Sequence, residues 1–230
     1  MGALTLRPLH SDLQAYTIHI ALIGPTGFVG TALLNELLQR GHRVTALART
    51  PDKITPRDGL TVVQADITDA AQVAQAIQGT DAVASAYNPG WTHPDLHDEF
   101  LRGSRAITQG VKAAGVQRLL VVGGAGSLYV AEGVQLVDTP QFPAEWKAGA
   151  LAAREALNLL RQESALQWTF LSPPILLEPG ERTGQYRLGT EYPLMNGDQP
   201  GQISVADLAV AIVDELENPR HLQQRFTVAH

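Results

Sequence analysis

The sequence predicts an α/β fold, a doubly wound parallel sheet with helices on both faces. Three observations lead there. Strand-length apolar runs alternate with amphipathic helical segments through most of the 230 residues. Those runs are apolar at successive positions rather than at every second one, as in strands covered on both faces. Three of the helical segments stop at a glycine, at Gly41, Gly79 and Gly115. Right-handed crossovers between parallel strands then wind the sheet in two directions.

The elements follow in order. Residues 18–23 are a near-continuous apolar strand. In "FVGTALLNELLQR" (28–40), Phe28, Leu33, Leu34, Leu37 and Leu38 recur at helical spacing. Strands are predicted at 43–48 and 60–66, with a helix over 68–77 capped by Thr68 or Asp69. A strand at 81–87, a helix over 95–114 and a strand at 116–124 continue the alternation. A long Ala- and Leu-rich helix covers 145–163 and a strand covers 166–174. The stretch 173–204 is rich in Pro and Gly and reads as a small substrate-side excursion at the carboxyl ends of the strands. A helix over 204–219, capped by Ser204, and a strand at 224–229 complete the chain. Residues 1–17 precede the first strand and read as an N-terminal appendage to a single domain over 18–230.

Composition narrows the function. The formal net charge is −6, which argues against a nucleic-acid partner or a membrane surface, since both call for clustered Lys and Arg. There is no cysteine, so disulfides, thiolate nucleophiles and zinc-thiolate sites are excluded. No apolar run approaches the ~20 residues of a membrane span, and the N-terminus lacks the basic start and apolar core of a signal peptide. A cytoplasmic protein, monomeric or a small homo-oligomer, is expected.

The stretch "IHIALIGPTGFVG" (18–30) carries the most chemistry. Gly24, Gly27 and Gly30 leave a strand and open a helix, the context in which a glycine triplet points to a dinucleotide. Gly24 permits the sharp turn, Gly27 lets a pyrophosphate approach the backbone, and Gly30 lets the helix pack close. The N–H groups and dipole at the helix start favour the phosphate charge. An acid at the end of the second strand would bind the ribose of NAD. Here "ALART" offers Arg49 and Thr50 instead, and a guanidinium fork suits a phosphate. NADP is therefore expected, with NAD as the alternative. Asp66, ending the third strand, either accepts from the adenine amino group or caps the next helix.

"IGPTGFVG" is similar to the glycine turn of atypical short-chain dehydrogenase/reductases. "DAVASAYNPG", "LLVVGGAGSLYV", "WTFLSPP", "PGERTGQYRLG" and "QRFTVA" resemble the NADH-flavin reductase-like and NAD-dependent epimerase/dehydratase-like group, and more distantly biliverdin-IXβ/flavin reductase and NmrA-like proteins. The resemblance spans about residues 18–230. It implies a Rossmann fold with Gly24, Thr26, Gly27, Phe28 and Val29 at the pyrophosphate. It also implies Arg49 and Thr50 at the adenosine phosphate and Asp66 and Ile67 beside the adenine. Ala86 and Tyr87 would border the nicotinamide ribose, with Pro173, Pro174 and Ile175 near the nicotinamide ring.

Carbonyl-reducing members of this superfamily use a Ser, and a Tyr four residues before a Lys. With the register set on Glu155, the Lys position is Leu151 and the Tyr position Lys147, while the serine falls on Gly123 or Gly124. Biliverdin-IXβ/flavin reductase has a His after its double Pro, where this chain has Ile175. An acceptor that needs little acid help is therefore expected, of the flavin or quinone class, with the protein supplying orientation and proximity. A non-catalytic NAD(P)-binding sensor, or an epimerase/dehydratase-like enzyme with an unorthodox acid, are the alternatives. The candidate catalytic groups are Ser127, Tyr129 and Lys147. Trp91 is either a stacking surface for a flat ring or the plug of its own loop. His93 and His97 have helical metal-ligand spacing, but Pro94 and the loop context count against a metal. Arg182 and Arg187 either meet an anionic substrate or tie the excursion down.

Overall fold

A computed structural model describes residues 17–230. The predicted N-terminal appendage, up to residue 16, lies outside the described residues. The chain enters through β1 (His19–Ile23), turns into α1 (Phe28–Gln39) and returns as β2 (Arg43–Ala48). Next come β3 (Leu60–Gln64), α2 (Ala70–Ala76), β4 (Ala82–Ser85), α3 (Leu96–Ala113) and β5 (Arg118–Val122). A hairpin of β6 (Tyr129–Ala131) and β7 (Val134–Gln135) precedes α4 (Ala144–Leu160) and β8 (Gln167–Ser172). The remainder is β9 (Leu176–Glu178), β10 (Arg187–Gly189), β11 (Met195–Asn196), β12 (Gln199–Pro200), β13 (Gln202–Ser204), α5 (Val205–Glu217) and β14 (Gln224–Ala229).

Eight strands form one sheet in the order β10-β14-β8-β5-β4-β1-β2-β3, parallel except where β10 meets β14. The alternation of side chains on β1 builds both faces. Ile20 and Leu22 join Leu33 and Leu37 of α1 and Leu208 and Ile212 of α5 in one core. Ala21 and Ile23 join Val73, Ile107 and Leu157, from α2, α3 and α4, in the other. Each large side chain buried this way contributes about 1.5–3 kcal/mol before entropy is counted. This is the doubly wound Rossmann architecture. Successive strands lie on one side of β1 as far as β3, then the chain crosses to β4 on the other side. The switch point lies between β1 and β4, where such folds place ligands.

Local signals behave as their chemistry dictates. Asp69, rather than Thr68, caps α2, accepting from the Ala71 and Gln72 N–H groups. Ser204 caps α5 by accepting from Asp207 N–H. No helix among the described residues is long and apolar enough to cross a membrane.

The excursion over 173–204 differs from expectation. Only its first residues, through Leu177, line the cleft at the carboxyl ends of the strands. The chain then pairs β9 with β13, turns away, and lays β10 antiparallel along β14 at the sheet edge. Without β10 the backbone of β14 would be left unpaired along that edge, and an open edge is a liability in any sheet. Arg182 binds Glu36 of α1 at 2.7 and 2.8 Å, and Arg187 binds the His230 carbonyl and the Asn196 side chain. Both arginines tie the excursion down and neither lines the cleft.

Candidate active site

The turn after β1 shows why three glycines stand there. Gly24 has φ +78°, and a Cβ on it would lie 2.7 Å from the Ala86 carbonyl oxygen of the neighbouring strand end. A Cβ on Gly30 would lie 1.8 Å from the Gly24 carbonyl oxygen, so Gly30 brings α1 against its own turn and does not line the cleft. Gly27 is different. A Cβ there would meet only the Gly24 carbonyl oxygen, at an ordinary 3.5 Å. Packing does not demand glycine at 27, and its bare backbone leaves room for a close approach from the cleft side.

Gly27 caps α1 with no side-chain hydrogen bond, and the first turn of α1 holds no acidic residue. Every other α-helix among the described residues has a capping side chain, an acidic first turn, or both. The start of α1 thus presents uncompensated N–H donors and a positive dipole end to a cleft of about 1030 Å³. This arrangement fits a pyrophosphate.

The cleft spreads to either side of that helix start. Thr26, Phe28 and Val29 line it at the centre, as expected from sequence. Toward β2 and β3 it is lined by Arg49, Thr50, Lys53, Asp66 and Ile67. The guanidinium of Arg49 and the ammonium of Lys53 make no hydrogen bond or ion pair with any described residue, since only the Arg49 carbonyl is engaged, by Gln64. Asp66 accepts from the backbone N–H and hydroxyl of Thr68, and these bonds hold its carboxyl below the usual Asp range. It does not cap α2, which Asp69 does.

Toward β4 the lining includes Ala86 and Tyr87. Burial, reinforced by the Glu99 charge, pushes the Tyr87 phenol up to about 12. Its hydroxyl donates to the Glu99 carbonyl oxygen at 3.0 Å, and its ring fills the space above Gly103, where a Cβ would lie 2.3 Å from Cε1. Toward β5 and β8, Pro173, Pro174 and Ile175 line the cleft with Gly123 and Gly124.

The three candidate catalytic residues are not brought into the cleft lining. Ser127 is buried beneath the loop after β5 and accepts from Arg225 Nη1 at 3.0 Å. The short helical turn over Ala125–Ser127 rotates its hydroxyl away. Tyr129 packs against Tyr192, with the Arg225 guanidinium 6.0 Å from its ring centre. Lys147 is exposed on the wrong face of α4. The register set on Glu155 is corrected here: Lys147 and Leu151 do not face the cleft, whereas Trp146, Gly149, Ala150 and Ala153 do. That face carries neither Tyr nor Lys. Of the two positions on which the serine could fall, Gly123 is closed, since a Cβ there would lie 1.9 Å from Phe170 Cζ, whereas at Gly124 a Cβ would meet only Ala153 Cβ at 3.8 Å.

Several lining residues were missed from sequence: Lys53, Arg102, Phe142, Trp146 and Gly149. The last two stand on one helical face with Ala150 and Ala153, a small-residue stripe that helical periodicity could have exposed. His93 also lines the cleft, its Nδ1 accepting from Asp95 N–H, while His97 lies between Asp98 and Glu155.

A doubly wound sheet whose uncapped first helix opens on a glycine turn defines a Rossmann nicotinamide-dinucleotide-binding protein. The chain belongs to the NAD(P)H-binding family, whose model matches residues 24–219. It is 41% identical over 214 residues to the uncharacterized protein YwnB of Bacillus subtilis, covering 91% of this chain and 97% of that one. Among solved structures it is similar to a "putative epimerase" from Bacteroides thetaiotaomicron, with TM-score 0.87 and 44% identity over 93% of this chain and 97% of that one. A "putative NADH-flavin reductase" from Streptococcus pneumoniae superposes with TM-score 0.82 and 36% identity, covering 93% and 99% of the two chains. The fold is that of NAD(P)-binding oxidoreductases, and the cofactor class is nicotinamide.

Proposed function

We propose that the protein is an NADP(H)-preferring reductase that delivers hydride to a flavin- or quinone-class acceptor without a Tyr–Lys acid. The observation that carries the reading is the cleft face of α4, where Trp146, Gly149, Ala150 and Ala153 occupy the side from which a proton donor would act. The nicotinamide supplies the hydride when bound. The chain's own residues then have three tasks. The start of α1 and Gly27 hold the pyrophosphate, the β2 end holds the adenosine phosphate, and the apolar wall excludes water and orients the acceptor. Tyr87 does not serve as the acid in this reading, because its hydroxyl is committed to the Glu99 carbonyl oxygen. A fused electron-poor ring delocalises the incoming charge and takes its proton from water.

The preference for NADP is supported by Arg49 and Lys53, two cations at the cleft without an acidic partner among the described residues. Arg49→Ala is expected to weaken NADPH binding by about 10- to 100-fold, the loss of a charged hydrogen bond. NADH binding should change by less than about threefold, being without that phosphate. Equal losses for the two cofactors would remove the assignment.

The reaction is tested by following NADPH loss with flavins, quinones and aldehydes. Turnover of the first two classes and not the third is expected. Micromolar cofactor binding with no acceptor consumed would overturn the reductase reading and leave a cofactor-binding sensor.

A further inference from the structure

The two halves of the cleft differ in charge. Arg49 and Lys53 follow β2, Asp66 follows β3, and Glu99 and Arg102 come from α3. From Val122 to Leu177, by contrast, no lining residue is charged. The arginines of the neighbouring segments are all held elsewhere: Arg154 by Asp138, Arg161 and Arg225 by Glu191, and Arg182 by Glu36. The loop bearing Trp91 adds one titratable side chain to the lining, His93.

This uncharged half has an aromatic wall with a specific support. Trp91 is 60% exposed although it rests on α4. A Cβ on Gly149 would lie 2.8 Å from Trp91 Cζ3, so the indole is seated directly on the bare helix backbone. Trp146, one turn earlier on the same helix face, is 53% exposed and also lines the cleft. Two indoles open to one apolar compartment present flat surfaces on which a ring can stack.

We propose that this half of the cleft is a subsite for an uncharged planar ring, a quinone or an unphosphorylated isoalloxazine, with Trp91 as its wall and Gly149 as the residue that places Trp91. The proposal rests on the reductase reading above and narrows its acceptor. The site recognises the ring alone. A phosphate carried into this half loses hydration and meets no cation in its lining, Lys147 beside Trp146 being exposed and outside the lining.

Riboflavin and FMN share one ring and differ by the phosphate, so the pair isolates the claim. Each is titrated, alongside menadione as an uncharged quinone, into protein saturated with NADP⁺, and tryptophan fluorescence is followed. Trp91 and Trp146 border the cleft, whereas Trp168 is buried and donates to the Glu163 carbonyl oxygen, so its contribution is common to the parent and both variants. Riboflavin and menadione are expected to quench, with FMN binding no tighter than riboflavin. Trp91→Leu, and Gly149→Ala through displacement of the indole, should each weaken ring binding by about tenfold, or about 1.4 kcal/mol. NADPH affinity, which also reports an intact fold, should stay within about twofold for both variants, because they leave the cofactor half untouched. FMN binding at least about tenfold tighter than riboflavin would overturn the subsite, as would ring affinity unaltered in Trp91→Leu. Rings that bind and quench while NADPH is not consumed would instead overturn the reductase reading and leave the subsite standing.

Discussion

Gly27 and Gly30 have the same side chain and opposite reasons for it. Gly30 is glycine because the protein's own Gly24 carbonyl oxygen stands where a Cβ would be. Gly30→Ala should therefore lower unfolding free energy by about 3 kcal/mol or more, since backbone must move to relieve the overlap. Gly27→Ala meets no such obstacle. It should leave stability within about 1 kcal/mol of the parent, yet weaken NADPH by about tenfold or more by blocking the approach of the pyrophosphate. Urea unfolding and cofactor titration of the two variants separate these effects. Reversed behaviour, with Gly27→Ala unfolding and Gly30→Ala only losing cofactor, would invert the assignment of the two glycines. Gly123 is the nearer case to Gly30, because Phe170 stands where its Cβ would be, and a simple Gly123→Ser change should destabilise the protein.

At the scale of elements, the strap between β9 and β10 depends on one carboxylate in the first turn of α5. Asp207 accepts from Thr183 N–H, the Thr183 hydroxyl and Gly184 N–H, and it meets the His230 imidazole at 2.9 Å. Burial by itself would raise its pKa, but these partners outweigh burial and hold the carboxyl below its ordinary value. A folded value below the unfolded one, about 3.9, means the stabilisation is complete above that pH and is lost as pH falls through the folded value. Asp207→Asn cannot titrate there. Its stability should fall less steeply than the parent's on acidification below about pH 4. Parallel acid limbs in urea unfolding would show that Asp207 does not carry this dependence. The α4 helix teaches a related lesson. Its existence was legible in the Ala- and Leu-rich run, but its rotation was not. A register borrowed from one glutamate misplaced the cleft face by one residue, enough on a helix to turn Lys147 from the site to solvent.

For the whole molecule, the cleft and the fold are one thermodynamic system. A ligand that binds only the folded chain at 100 times its Kd adds about 2.7 kcal/mol of stability. For a domain of this size that corresponds to a rise in melting temperature of about 5–10 °C. NADPH should produce this shift in the parent protein, and NADH a smaller one at equal concentration. A melting temperature unmoved by NADPH at millimolar concentration would contradict the placement of the cofactor against α1.

The order of strands and helices, the glycine turn and the basic end of β2 were readable from the chain because each is a local matter. Apolar periodicity, turn conformation and cap chemistry act between residues a few positions apart. The glycine turn and the ends of β2 and β3 are such local features, and Gly24, Thr26, Gly27, Phe28, Val29, Arg49 and Asp66, expected from the chain, line one cleft. The rest of the cleft is assembled from the loop after β4, the loop after β5, one face of α4 and the double proline after β8. Only the parallel pairing of β4, β5 and β8 brings those together. Nothing local to "GAGSLYV" says that Ser127 turns inward to Arg225, and nothing local to Gly149 says that Trp91, almost sixty residues away in sequence, needs its missing side chain. The sequence by itself determined the fold and the glycine turn that opens α1. Tertiary packing decided which side chains line the rest of the cleft, because that depends on helix rotation and long-range contact rather than on any residue's own preference.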